Sequence, residues 1–88
     1  MKNRVWIPSQ IQGLTNGQSV VEIAGGNLRQ VIKRLDESYP GIACFLIEGD
    51  MLKTGIVVAI NGEISHLGLY DCVTPGSEIH FLPNLAGG

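Results

Sequence analysis

The chain has 88 residues, 6 Lys and Arg against 8 Asp and Glu, a net charge of −2 and 44% apolar residues. That length bounds it to one domain with a single modest core. The composition excludes a disordered chain and a basic nucleic-acid-binding surface, and no apolar run approaches the ~20 residues of a membrane span.

Residues 4–11 alternate, with Val5, Ile7 and Ile11 on one side and Arg4, Trp6 and Gln10 on the other, which predicts a half-buried strand. Pro8 lacks an N–H, so this strand must bulge or face an unpaired side there. Asn16-Gly17 is a tight-turn signal, and "SVVEI" reads as a second strand, which completes an N-terminal hairpin. "AGGN" then breaks the strand. Asn27 is a good N-cap, with Gln30 three residues on to reach back. Leu28, Val31, Ile32 and Leu35 fall at helical spacing and form one apolar stripe, and Pro40-Gly41 stops the helix after Tyr39. "IACFLIEGD" fits either a short buried strand or an apolar turn under the sheet. "GIVVAI" is a strand that "NGE" turns back. A Pro75-Gly76 turn precedes the last strand, in which Ile79 and Phe81 point one way and Glu78, His80 and Leu82 the other.

One helix cannot bury its stripe alone, so it must lie across a single sheet. The order therefore predicts an α+β chain of the β-grasp (ubiquitin-like) type: one mixed sheet of four to five strands packed on a single main helix. Residues 1–82 form that domain, and residues 83–88 form a flexible tail.

No self-contained catalytic apparatus is visible. Gly25-Gly26 lacks the lysine and the spacing of a phosphate loop, and no serine sits in a nucleophile elbow. His66 and His80 are isolated, each expected as a surface histidine, and no metal site is expected. Asp36-Glu37 reads as a solvated pair in the last helical turn. Cys44 and Cys72 show no CxxC spacing and sit in "IACFL" and "LYDCV", which predicts small buried hydrophobes in a reducing compartment. The opening "MKNRVWIPSQ" is interrupted by Pro8, Ser9 and Gln10 and is not expected to be a signal peptide. A soluble, cytoplasmic protein is expected, without nucleic-acid or membrane partners.

The chain closes on "FLPNLAGG". A terminal Gly-Gly alone is a weak signal, but here it follows a strand and a proline with no charge between. Six extended residues reach at most ~20 Å beyond the last strand. Gly87 and Gly88 lack a Cβ and can thread a channel closed to other residues. A terminal carboxylate is ionised at neutral pH and can attack the α-phosphorus of ATP in a partner's site, giving an acyl-adenylate open to a sulfur or amine nucleophile. The tail looks like a substrate on a folded handle.

These stretches carry a resemblance. "VWIP" with "LTNGQ", "NLRQVIKRLDESYPG", "VAINGE" and "TPGSEIHFLPNLAGG" are similar to the prokaryotic ubiquitin-like sulfur carriers over nearly the whole chain. That group includes the molybdopterin synthase small subunit, the thiamine-biosynthesis carrier and the carrier that feeds cysteine biosynthesis. The resemblance implies that an ATP-dependent activating enzyme adenylates Gly88 and that a sulfur donor converts it to a thiocarboxylate. A downstream synthase then accepts the sulfur. The carrier itself is a co-substrate and not an enzyme. It holds no stable cofactor, ATP being used by the activating partner. The motif maps onto Pro83, Leu85, Ala86, Gly87 and Gly88, with Asn84 within the same link. The family's usual glycine-aspartate before the last strand is Gly76-Ser77 here, which bears on which activating enzyme docks. The early segment resembles the cysteine-biosynthesis branch most. Conjugation to lysines through Gly88, or a plain interaction domain, are the rival readings. If Ile79 and Phe81 face the helix, Trp6, His80 and Leu82 share the opposite sheet face beside the tail, a patch suited to a partner.

Overall fold

The computed structural model describes residues 2–83. The strands are β1 (Lys2–Trp6), β2 (Val20–Ala24), β3 (Ile47–Glu48), β4 (Met51–Leu52), β5 (Ile56–Ile60), β6 (Glu63–Ile64) and β7 (Glu78–Pro83). The helices are α1 (Leu28–Ser38) and the single turn α2 (Ala43–Leu46), with 3-10 segments at Ser9–Thr15 and Gly68–Tyr70. β2, β1, β7, β5 and β6 lie side by side in that order, while β3 and β4 form a separate small ladder. β1 and β7 run parallel and the other pairs in the large sheet are antiparallel. A mixed five-stranded sheet with one long helix on it is the expected β-grasp.

The helix starts and stops where its chemistry dictates. The Asn27 side chain accepts from the Gln30 N–H at 2.8 Å, and the Gln30 amide oxygen accepts from the Gly26 N–H at 2.9 Å. Each satisfies a donor left free at a helix start. Leu28, Val31, Ile32 and Leu35 are buried against Val5, Val21, Ile23, Val58, Ile79 and Phe81 of the sheet. Past the helix, the Asp36 carboxylate accepts from the Gly41 and Ala43 N–H groups at 3.0 Å each. Asp36, read from sequence as solvated, thus fixes the turn into α2.

Three expectations need correction. The first strand ends at Trp6 and does not run to Ile11. Ile7 still donates to the Ser19 carbonyl at 2.8 Å, but Pro8 has no N–H to continue the ladder, and the chain winds into the 3-10 segment. Ile11 is buried all the same, from a helical turn in place of a strand. Second, Asn16-Gly17 closes that segment through left-handed residues (φ 56° and 81°) and is not the two-residue loop of the hairpin, whose strands meet at Trp6 opposite Val20. Asn61-Gly62 does make such a loop, with φ 53° and 86° between the paired residues Ile60 and Glu63. Third, both cysteines are exposed. In α2 it is Leu46 that turns inward, which leaves Cys44 and Phe45 facing out, and in the extended stretch after Asp71 it is Val73 that turns inward and Cys72 outward. The "IACFLIEGD" segment is divided between the two alternatives: Ala43–Leu46 form the helical turn α2, with Ile42 and Leu46 buried, and Ile47–Glu48 form the short β3.

Candidate docking face and tail root

Because β-strand side chains alternate, the sheet has one face under α1 and one face open. Register fixes which residues share the open face. Val20 lies opposite Trp6, Trp6 opposite His80, His80 opposite Ala59 and Ala59 opposite Ile64. One row of side chains therefore crosses all five strands, and all but His80 are apolar. Leu82 and Val57 sit opposite each other in the neighbouring row on the same face. Val20, Ile64 and Leu82 are 37%, 48% and 39% exposed, and Trp6 is half-buried.

The row has internal order. The Trp6 and His80 rings stack with centroids 4.3 Å apart and planes at 16°. The Arg4 guanidinium carbon stands 5.8 Å from the Trp6 ring centroid and its Nη2 donates to Glu78 Oε2 at 2.9 Å. Glu22, Arg4 and Glu78 are opposite one another and form a charged row beside the apolar one. A charged row bordering an apolar one is in keeping with the apolar centre and polar edge of a protein-binding patch.

β7 is the middle strand of the five, so the chain leaves the sheet from its centre at Pro83. A groove of about 300 Å³ adjoins this exit, lined by Pro8, Ile11, Phe45, Lys53, Phe81 and Leu82 among others. Phe45 is 48% exposed, and Lys53 Nζ lies 6.0 Å from its ring centroid while donating to the Cys44 carbonyl at 3.4 Å.

Of the residues singled out from sequence, Trp6 and His80 are in contact, Leu82 is on the same face, and the Pro83 backbone ends β7. Asn84, Leu85, Ala86, Gly87 and Gly88, and the expected flexible tail, lie outside the described residues. His66 is exposed, and no cluster of metal-ligating side chains occurs among the described residues. No helix among them is long and apolar enough to cross a membrane. Sequence reasoning missed Val20, Val57 and Ile64, whose membership of the face depends on register alone; Arg4 shares a side with Trp6 by alternation, and only its pairing with Glu78 needs the register. Sequence reasoning also missed Phe45 and Lys53, which no periodicity marks.

Ser77, where the resemblance implies an aspartate, is 2% exposed. Its hydroxyl donates to the Thr74 carbonyl at 2.6 Å and its N–H donates to the Asn3 amide oxygen at 3.2 Å. It closes the Pro75-Gly76 turn from inside and is not presented to a partner.

The model of the ThiS family matches residues 5–88. The chain belongs to the ThiS family. As a ThiS-family member it has the fold of the ubiquitin-like sulfur carriers, small carrier proteins and not catalysts. It is similar to a chain of the Amycolatopsis orientalis BexX/CysO complex, at 30% identity and a TM-score of 0.89 over 98% of this chain and 99% of that one. Mycobacterium tuberculosis CysO is 27% identical, with a TM-score of 0.87 over 94% and 99%. The small archaeal modifier protein 1 of Methanosarcina acetivorans shares the fold at 23% identity and a TM-score of 0.77 over 99% and 96%. No curated protein matches the chain in sequence.

Proposed function

We propose that this protein carries sulfur as a thiocarboxylate on Gly88 and presents it to partner enzymes through the open sheet face. The observation that carries the reading is the placement of the last strand. β7 occupies the centre of the sheet, bears His80 and Leu82 on the open face, and leads directly into Asn84-Leu85-Ala86-Gly87-Gly88. A partner seated on Trp6, His80 and Leu82 has the start of the Gly-Gly segment beside it.

The chemistry has two steps. A carboxylate oxygen of Gly88 attacks the α-phosphorus of ATP in the activating enzyme, and pyrophosphate leaves. A hydrosulfide ion then attacks the acyl-adenylate carbonyl, AMP leaves with one of the original carboxyl oxygens and the remaining S–H proton passes to solvent, so that one carboxyl oxygen is replaced by sulfur. The carrier contributes no acid or base. It contributes a narrow, unbranched acyl end and a docking surface, and ATP belongs to the partner. A downstream synthase accepts the sulfur. The likeness to a carrier held in a BexX/CysO complex supports an acceptor that binds the folded carrier as a unit, and the cytoplasm, where such enzymes and reduced thiols coexist, is the compartment.

Intact mass after incubation with its activating enzyme, ATP and a sulfide donor is the test. The expected product is heavier by the difference between one sulfur and one oxygen. A ladder of lysine conjugates would replace this reading with that of a protein modifier. A chain extended by one alanine after Gly88 should not load, and normal loading of that variant would overturn the assignment of Gly88.

A further inference from the structure

The apolar row of the open face has one titratable member, and it stands at the centre. His80 is flanked by Trp6 on β1 and Ala59 on β5, with Val20 and Ile64 at the row's ends. Its ring lies nearly parallel to that of Trp6 at 4.3 Å. The charged groups around it come from three strands. β1 supplies Arg4, at the Trp6 ring. β7 supplies Glu78, two residues along and already held by Arg4 at 2.9 Å. β2 supplies Glu22, opposite Arg4 in the charged row. β5 and β6 turn only Val57, Ala59 and Ile64 to this face. The carboxylate nearest along the strand is thus committed to another cation, and the immediate neighbours in the row are an aromatic ring and a methyl group.

We propose that docking on this face is gated by the protonation of His80: the neutral imidazole docks and the imidazolium does not. This rests on the reading of the open face as the docking surface. Histidine changes charge between about pH 5 and 8. In the free protein the His80 ring is partly exposed to water, so the charged form keeps hydration on this face. A partner seated on the row removes that water from a site whose neighbours are Trp6 and Ala59, and burying an uncompensated charge is costly. Only the neutral fraction then binds, so apparent affinity falls by about tenfold per pH unit below the titration midpoint. Loading would be slowed in acid without any change in the activating enzyme's chemistry.

Two measurements test this on the full chain. Trp6 is the only tryptophan, so its fluorescence reports the stack. It should step across the histidine range in the wild type and not in His80→Gln, and should still step in His66→Gln. The affinity for the activating enzyme is then measured at about pH 5.5 and pH 8, chosen to bracket that range. The wild type should lose about tenfold more affinity on acidification than His80→Gln, and His80→Lys should bind weakly at both values. An equal loss in wild type and His80→Gln, or a wild-type fluorescence that does not step, overturns the gate and leaves the docking face standing. Absence of wild-type binding at pH 8 overturns the docking face, and the gate with it.

Discussion

Trp6 and Phe81 are both aromatic, on adjacent strands, yet alternation turns them to opposite sheet faces, so truncating each separates docking from folding. Phe81 is 4% exposed, opposite Val58 and within the core under α1. Phe81→Ala removes a ring from that core and should cost about 3–5 kcal/mol. A chain of 88 residues has roughly 4–13 kcal/mol of stability in all, so this variant is close to unfolding. Trp6→Ala removes a half-buried ring, its stack on His80, worth about 0.5–1.5 kcal/mol, and a partly solvated contact with Arg4, worth about 0.5–1 kcal/mol. These two contacts sum to about 1–2.5 kcal/mol, and at about 4–8 °C per kcal/mol for a domain of this size the two melting curves are readily told apart. Binding should rank the other way. Trp6→Ala and Leu82→Ala should each weaken binding to the activating enzyme by about 1–2 kcal/mol, measured by calorimetry on folded variants. If Trp6→Ala unfolds the domain as badly as Phe81→Ala, or if both face variants bind normally, the division of the sheet into a folding face and a docking face is wrong.

Three further outcomes are expected. The Cys44→Ser/Cys72→Ser double variant should still take up one sulfur by intact mass, because the sulfur is assigned to Gly88, and should melt near the wild type because both thiols are exposed; complete loss of loading in the folded variant would reveal a thiol relay. Asn3 is fully buried, its amide donating to the Ile23 and Gly25 carbonyls at 3.2 Å each while its oxygen accepts from Ser77, so Asn3→Leu should cost about 1–3 kcal/mol in urea denaturation through groups left unpaired, and a neutral result would mean that water replaces them. A Cβ on Gly25 would stand 2.9 Å from the Val31 backbone nitrogen and 2.7 Å from its Cγ2, so Gly25→Ala should lower the melting temperature by more than the few degrees of an ordinary surface change, and an unchanged value would show that β2 can move off α1.

What could be read from sequence is what depends on neighbours within a turn or two. The α1 stripe, the Asn27 cap, the Asn61-Gly62 hairpin and the alternation of β7 are all local, and each stands in the structure as its spacing requires. What could not be read depends on partners far along the chain or on a backbone branch point. Val20 and Ile64 are ordinary strand residues until β1 and β7 bring them into line with His80. Ile11 reads as a strand position because a 3-10 turn after Pro8 buries it on the same side. Apolar neighbours in sequence say nothing about the direction of a cysteine: in a four-residue helix one inward position, here Leu46, is enough to turn Cys44 out.

The same contrast bears on how a carrier of this kind can serve more than one enzyme. In the proposed function the Gly87-Gly88 segment needs no fold to be recognised, since it offers a partner backbone without side chains. Such an end is shared easily and discriminates poorly. Discrimination must come from the folded part, and the structure separates the residues that can vary from those that cannot. Ser77 faces inward and closes a turn through Thr74 and Asn3, so a substitution there changes internal hydrogen bonds and not the exposed sheet face. Val20, Val57, Ile64 and Leu82 face outward from a sheet whose other side is packed, so they can change with little effect on α1 or the core. On the proposed reading of the open face, partner choice is free to drift there while the tail stays fixed. Substitutions at Val20 or Ile64 should alter which activating enzyme loads the carrier, measured as a ratio of loading rates between two such enzymes, with melting temperature held near the wild type. A change in stability that tracks the change in preference would place specificity in the core instead.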